Sequence, residues 1–476
     1  SKFMQPRYNG GWKTGFKPEE VTFDYTEANS WQYSLFVPHD IMGLITLMGG
    51  KDNLELWLDD LFTADSETSG RNQADITGLI GQYAHGNEPS HHMAYLYNFT
   101  KNSWKTQKYV NLILSTLYFN APDGLSGNED CGQMSAWYIL SSMGFYSVTP
   151  ASNQYIIGTP LFSKVTINLE NGKQFTIVAH DISDSNIYIE SATLNGKPLD
   201  RTYIYHNEVV DGGVLEFQMT DNPAVWGTKE GQEPKTEIKD HLIIPTPFIA
   251  KGDVAFKGET EVALENVDKS ATIYYKLGDA DYQTYESSFT ISEPTTLSVY
   301  SEKGGIKSAT IETQFYKIDP NISIKLDTEY ANQYNAGGND ALIDGILGAR
   351  DFRTGTWQGY FDENLIATVD LGSEKSINTI SVNFLKDQKS WIFYPTKVEC
   401  FVSNDGKNFT SIGSYKFDDI TPTDEVDIKN VEFKQPNTKY RYVKIIAKKL
   451  GKLPEWHLGY EHDGRSWLFV DEITIR

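Results

Sequence analysis

The sequence predicts a multidomain α + β chain in which a helical region comes first and β-sheet modules follow. Three observations carry this reading. The chain has 476 residues, enough for about three compact units at roughly 100–200 residues each. Between residues 30 and 145 apolar positions recur at helical spacing, and from about residue 160 the period changes to the alternation of strands.

In the helical region the segments are Leu35 to Met48, Leu54 to Phe62, Met93 to Tyr97, Tyr109 to Tyr118 and Met134 to Met143. They follow one another without intervening strands, as in a helical barrel or solenoid whose loops carry the chemistry. The first hairpin is Val165–Leu169 and Phe175–Val178 about an Asn171-Gly172 turn. Further strands are Ile187–Ile189, Ala192–Leu194 before Asn195-Gly196, and Leu215–Phe217. Residues 227–235 are polar and read as a linker. Beyond Pro245 a small all-β segment holds Thr272–Lys276 and Thr296–Tyr300, and from about 320 strands such as Thr379–Phe384 and Arg441–Ile446 build a last module.

Composition narrows the class of function. Hydrophobic residues make up 39% and no apolar run of about 18 residues occurs, so no membrane insertion is expected. The net charge is −22, the wrong sign for nucleic acid or an anionic membrane. With 10 Trp, 28 Tyr and 24 Phe the chain suits a neutral polyhydroxylated ligand, because rings stack on sugar C–H faces and carboxylates accept hydroxyl protons. Acidity for solubility alone explains the charge equally well. Cys131 and Cys400 are too few for a disulfide framework or a zinc cluster. The chain opens on Ser1-Lys2-Phe3-Met4 with neither an initiator Met nor a secretory leader, and so reads as processed, tagged or truncated.

Three loop-like clusters concentrate chemistry. Residues 25–33 join Glu27, Asn29 and Trp31 ahead of a helix, where Asn29 or Ser30 also suits an N-cap. Residues 85–92 place Glu88, Asn87, His85, His91 and His92 together. Residues 123–135 form a Gly-punctuated acidic loop with Asn128 and Asp130. Singly, Glu88 also reads as a surface carboxylate and Asp130 as a partner for a helix N-terminus. Adjacent His91 and His92 lack zinc spacing, whereas the oxygen-rich loops suit calcium, without EF-hand spacing.

The runs Ala84–His92 and Gly127–Tyr138, with Gly144-Phe145-Tyr146, Val148-Thr149-Pro150 and Asn195–Leu199, closely resemble signature segments of glycoside hydrolase family 92. The resemblance covers roughly residues 1–228. It implies a calcium-dependent, exo-acting, inverting α-mannosidase acting on mannose-containing glycans, on an (α/α)6 barrel joined to a β-sandwich. By resemblance Glu27 is the general acid and Asp130 the base, while Asn128, where some members carry a second Asp, orients the water. Glu88 with the carbonyl of Asn87 matches the calcium site. His85 falls at the leaving-group side, and His91 and Trp31 are equally sugar contacts or packing residues. The family's N-terminal sandwich and first barrel helices are expected to be missing and to be required, which would leave part of a barrel.

Residues 240–318 resemble the small β-sandwich appended to chitobiase-type enzymes, for which a spacer role is the favoured reading. Residues 320–476 resemble a discoidin, or factor 5/8 C-terminal-type, jelly roll, through Leu342–Gly345, Val369–Gly372, Val402–Phe409, Arg441–Lys444 and Val470–Ile473. Such modules bind sugars for bacterial glycosidases. Trp357, Tyr360, Trp391, Trp456 and Tyr460 are its candidate aromatic platform, with core placement as the alternative, and Asp344 and Asp351 correspond to a calcium loop. The expected organisation is a helical barrel part over 1–160, a closing β segment over 161–228, the small sandwich over 240–318 and the sugar-binding jelly roll over 320–476. An extracellular or periplasmic location follows. Two rivals remain: a glycan-binding or adhesion fragment acting through the last module alone, and another helical-barrel glycosidase.

Overall fold

The computed structural model describes residues 2–8, 11–240 and 242–476. The chain folds as two compact units. One is Lys17–Leu242 with the N-terminal residues through Met4; the other is Gln5–Phe16 with Ile243–Arg476.

The first unit contains helices α1 Ser30–Tyr33, α2 Ile41–Leu47, α3 Lys51–Thr63, α4 Trp104–Thr116, α5 Gln133–Met143 and α6 His206–Val210. Helix α3 forms because Leu54, Trp57, Leu58, Leu61 and Phe62 recur at three- and four-residue steps and are all buried. Tyr109, Val110, Ile113 and Leu114 do the same for α4. The two faces share a core with the wholly buried 3-10 segment Met93–Phe99 and with Trp137 of α5. Each such side chain contributes about 1.5–3 kcal/mol by leaving water.

Two helical expectations are corrected. Leu35 to Met48 is not one helix: Pro38 disfavours helix at Val37, and the chain restarts at α2, whose N-cap Asp40 accepts from Gly43 N at 2.9 Å. Nor do the helices follow one another directly. Two-residue strand pairs, Glu20–Val21 with Ser69–Gly70 and Leu79–Ile80 with Tyr83–Ala84, stand among long loops. The described residues are mostly β and loop around a few helices.

The hairpin Lys164–Asn168/Gln174–His180 belongs to a five-stranded sheet with Tyr188–Leu194, Lys197–Pro198 and Gly213–Thr220. Within it Gln174–His180 pairs in parallel with Gly213–Thr220. Phe175, Ile177, Leu215 and Phe217 alternate onto the buried face. The polar stretch after it is not a free linker. Thr202 N donates to Gln232 O at 2.9 Å, Glu233 is buried against Lys51, and Ile41 N and Met42 N each donate to Thr236 at 3.1 Å.

The second unit holds a small β module and a larger one. In the former, Phe248–Lys251, Thr260–Glu265 and Phe289–Ile291 form one sheet, and Thr295–Lys303 lies between Thr272–Leu277 and Ile311–Ile318 in another. Val262, Leu264, Leu297 and Phe315 fill the space between. The larger module is a seven-stranded sheet in which Leu365–Lys386 pairs with both Asp427–Lys448 and Trp467–Ile475 around Val369, Val382, Phe384, Val443 and Ile445. Residues 5–8 and 11–16, expected among the helices, belong to this unit and form a strap in it. Asn335 Nδ2 donates to Thr14 O at 2.9 Å, Asn332 Nδ2 to Gly15 O at 3.0 Å, and Trp12 sets its edge on Phe248.

Candidate active site

Four loops meet in the first unit. Asn87 Nδ2 donates to the carbonyl of Glu27 at 3.1 Å, joining the 84–92 loop to the loop before α1. Asn128 Nδ2 donates to Asp75 Oδ1 at 3.0 Å, joining the acidic loop before α5 to residues 73–78. Gln73 Nε2 binds the other Asp75 oxygen. Gly86 makes the close approach possible, since a Cβ there would lie 2.0 Å from Thr77 Oγ1 and 2.8 Å from Ser126 O. Glu27 and Asp130 are exposed and both adopt left-handed backbone, φ +57° and +49°. Cys131 and Gly132 continue that conformation at +56° and +92°, strain of the kind that clusters at working sites.

Burial holds the Glu88 carboxyl above the usual carboxylate range, and the neighbouring Asp130 and Asp75 push it further up. Its Oε1 is buried without a hydrogen-bond partner, as is Thr77 Oγ1. Three carboxylates thus crowd one place that has no basic side chain among the causes of the Glu88 shift. Among the described residues no group of three His, Cys, Asp or Glu side chains forms a ready metal cage. The unpartnered Glu88 oxygen and the carbonyl of Asn87, its neighbour in sequence, are hard oxygen donors of the kind calcium takes.

The histidines lie behind this surface. His85 is fully buried, its Nδ1 paired with Tyr83 OH at 2.8 Å and its Nε2 with Tyr118 OH at 2.6 Å. Since Tyr118 OH itself donates to Met134 O, His85 donates from Nε2 and accepts at Nδ1. His91 is 2% exposed and binds His85 O through Nε2. Burial holds His85 well below the usual imidazole range and His91 at about 4. Trp31 packs in an aromatic cluster with Phe3 and Trp57, at 4.6 and 5.2 Å. His85 and His91 thus stand in buried, hydrogen-bonded positions, and Trp31, half-buried, in an aromatic cluster. Glu27, Asn87, Glu88, Asn128 and Asp130 are brought together. Asp75 escaped notice in the sequence, although its Gly-punctuated loop just ahead of residues 84–92 was a signal.

In the second unit the aromatic platform divides. Trp357 and Tyr360 are core: Trp357 is 1% exposed and donates to Ala349 O at 2.7 Å. Trp391, Trp456 and Tyr460 stand on two neighbouring loops, linked through His457, which meets the Trp391 ring at 4.9 Å and the Trp456 ring at 5.6 Å. Trp456 is 42% exposed, and Lys452 Nζ sits 3.5 Å over Tyr460. Asp344 is buried with Asp471 and Glu472, and burial raises it to about 8. Asp351 instead is exposed and paired with Arg353 at 2.8 Å.

Comparison with known proteins matches residues 1–221 to the glycosyl hydrolase family 92 catalytic domain and residues 324–472 to the F5/8 type C domain. An uncharacterized secreted glycosidase of Arthroderma benhamiae is 30% identical over 249 residues, 49% of this chain and 30% of that protein. A family GH92 α-mannosidase structure from Bacteroides thetaiotaomicron is 40% identical over 49% of this chain and 31% of its own, with a TM-score of 0.45. A family GH92 inverting mannosidase of the same organism is 37% identical over 49% of this chain and 33% of its own, with a TM-score of 0.43. The chain spans about a third of the length of these relatives.

Proposed function

We propose, from the match of residues 1–221 to the family 92 catalytic domain and of residues 324–472 to the F5/8 type C domain, that the protein is an exo-acting, inverting, calcium-dependent α-mannosidase acting on mannose-containing glycans. The observation that carries this is the meeting of Asp75, Glu88 and Asp130 beside the Glu27 loop. Inversion needs an acid at the departing oxygen and a carboxylate that activates water on the opposite ring face. Glu27 supplies the proton to the leaving oxygen. Asp130 takes the proton of the attacking water, and Asn128, tethered to Asp75, orients that water. Glu88 and the carbonyl of Asn87 would hold calcium, which supplies a grip on mannose hydroxyls that favours ring distortion. The loops of Trp391, Trp456 and Tyr460 bind glycan at the second unit, and the small β module between is a chitobiase-type spacer. An extracellular or periplasmic location accords with the secreted Arthroderma relative.

The test is mannose release from α-1,2-mannobiose, by this chain and by a longer form that adds the remainder of a family 92 catalytic domain, each with calcium and with chelator. Chelator-sensitive release in either form supports the reading. Silence in both sinks it.

A further inference from the structure

We infer that Gln82 is a positioning residue that fixes the backbone carrying Glu27, an assignment that rests on the mannosidase reading above. Left-handed backbone is strained for a residue with a Cβ, so Glu27 at φ +57° stays there only where its surroundings dictate it. Those surroundings are a buried amide network. Asn29, 0% exposed, caps α1: Gln32 N donates to its Oδ1 at 3.3 Å, and Asn29 N donates to Gln32 Oε1 at 3.1 Å. The remaining Asn29 group, Nδ2, donates to Gln82 Oε1 at 2.9 Å and, more distantly, to Glu19 O at 3.4 Å.

Gln82 is itself 1% exposed and every polar atom it has is engaged. Its Nε2 donates to Asp65 O at 2.6 Å and Glu67 O at 3.0 Å, its backbone N–H donates to Leu61 O at 2.8 Å, and its carbonyl accepts from Gln32 Nε2 at 3.2 Å. The preceding Gly81, at φ +60°, lies so close to the end of α3 that a Cβ would sit 2.3 Å from Leu61 O, which leaves Gln82 no room to shift. The short stretch 82–87 therefore grips the Glu27 loop at both ends, Gln82 holding Asn29 and Asn87 holding the Glu27 carbonyl. An exposed carboxyl on a long side chain depends on its backbone for aim, and this stretch supplies that aim.

Leaving-group chemistry separates aim from general stability. α-1,2-Mannobiose needs its leaving oxygen protonated, whereas 2,4-dinitrophenyl α-mannoside expels a phenolate that needs no acid. The variants are Gln82→Met and Asn29→Asp; the second keeps the α1 cap acceptor but turns a carboxylate oxygen toward Gln82 Oε1 and Glu19 O in place of the amide donor. They are assayed in whichever form of the protein turns over α-1,2-mannobiose, with circular dichroism to confirm folding. Since misplacement of about 1 Å costs up to roughly a hundredfold, kcat/KM on α-1,2-mannobiose should fall about ten- to a hundredfold. On the dinitrophenyl substrate it should change by less than about threefold, the acid being idle there. An equal loss on both substrates, or no loss on either, overturns the assignment of Gln82 while leaving the mannosidase reading intact. If the unsubstituted protein hydrolyses neither substrate, the mannosidase reading fails and the assignment falls with it.

Discussion

Both ring nitrogens of His85 are engaged by tyrosines, a placement that residue type alone does not reveal. The sequence places it in the richest chemical segment of the chain; the fold spends it on Tyr83 and Tyr118. The carboxylates beside it carry the residue-scale predictions. Glu27→Gln should lower turnover of α-1,2-mannobiose by about 10²–10⁴-fold with ligand binding kept, the share a general acid supplies; an unchanged rate removes Glu27 from that role. Asp130→Ala should abolish turnover by removing the group that activates water. Glu88→Ala should weaken calcium binding in calorimetry, and unchanged affinity would place the ion elsewhere. In the second unit Trp456→Ala should reduce glycan retention in affinity electrophoresis without changing the melting temperature. Trp357→Ala should cost about 3–5 kcal/mol of stability, because that ring is packed to 1% exposure.

At the scale of elements, the crossing of the site loops is a packing event with little slack. Gly86→Ala should destabilise the first unit by about 1–3 kcal/mol in denaturant unfolding, since overpacking forces backbone shifts, and here the new Cβ meets Thr77 Oγ1 at 2.0 Å. What the sequence reveals at this scale follows periodicity. The buried stripe of α3, the Asn171-Gly172 hairpin and the alternating strands of the last module are legible because one face of each is apolar. Pro38 was a legible break that the apolar run around it outweighed. Residues 227–235 mislead because polar composition and exposure are different things: Glu233 is buried against Lys51, distant in sequence, and Thr236 just beyond the stretch is buried against Ile41. The motif loops mark the site, yet Asp75 and Gln82 join it through single hydrogen bonds to Asn128 and Asn29, pairings that no local pattern announces.

At the scale of the whole molecule the two units carry opposite pH liabilities. In the first, burial holds His91 and His92 at about 4, below the unfolded value near 6.5. The unfolded state therefore binds more protons between those limits, and stability falls as pH drops from about 6.5 to 4. In the second, burial raises Asp344 to about 8 and Glu472 to about 7. There the native state keeps protons that the unfolded state has lost, so stability falls as pH rises from about 4 to 8. Calorimetry in chelator at pH 5 and pH 8 should show two transitions that move in opposite directions, and Asp344→Asn should flatten the upper window. Transitions that move together would contradict this.

The strap that carries Thr14 has a consequence for synthesis. Thr14 reaches its partner Asn335 across 321 residues of sequence, and a ribosome adding about 5–20 residues per second needs roughly 16–64 s to make that span. For most of that interval the strap is without its partners Asn332 and Asn335, and the chain through residue 242 is complete before the interval ends. The first unit can therefore gather its core during translation, but the second closes only after its own far strands emerge and an early segment is retrieved.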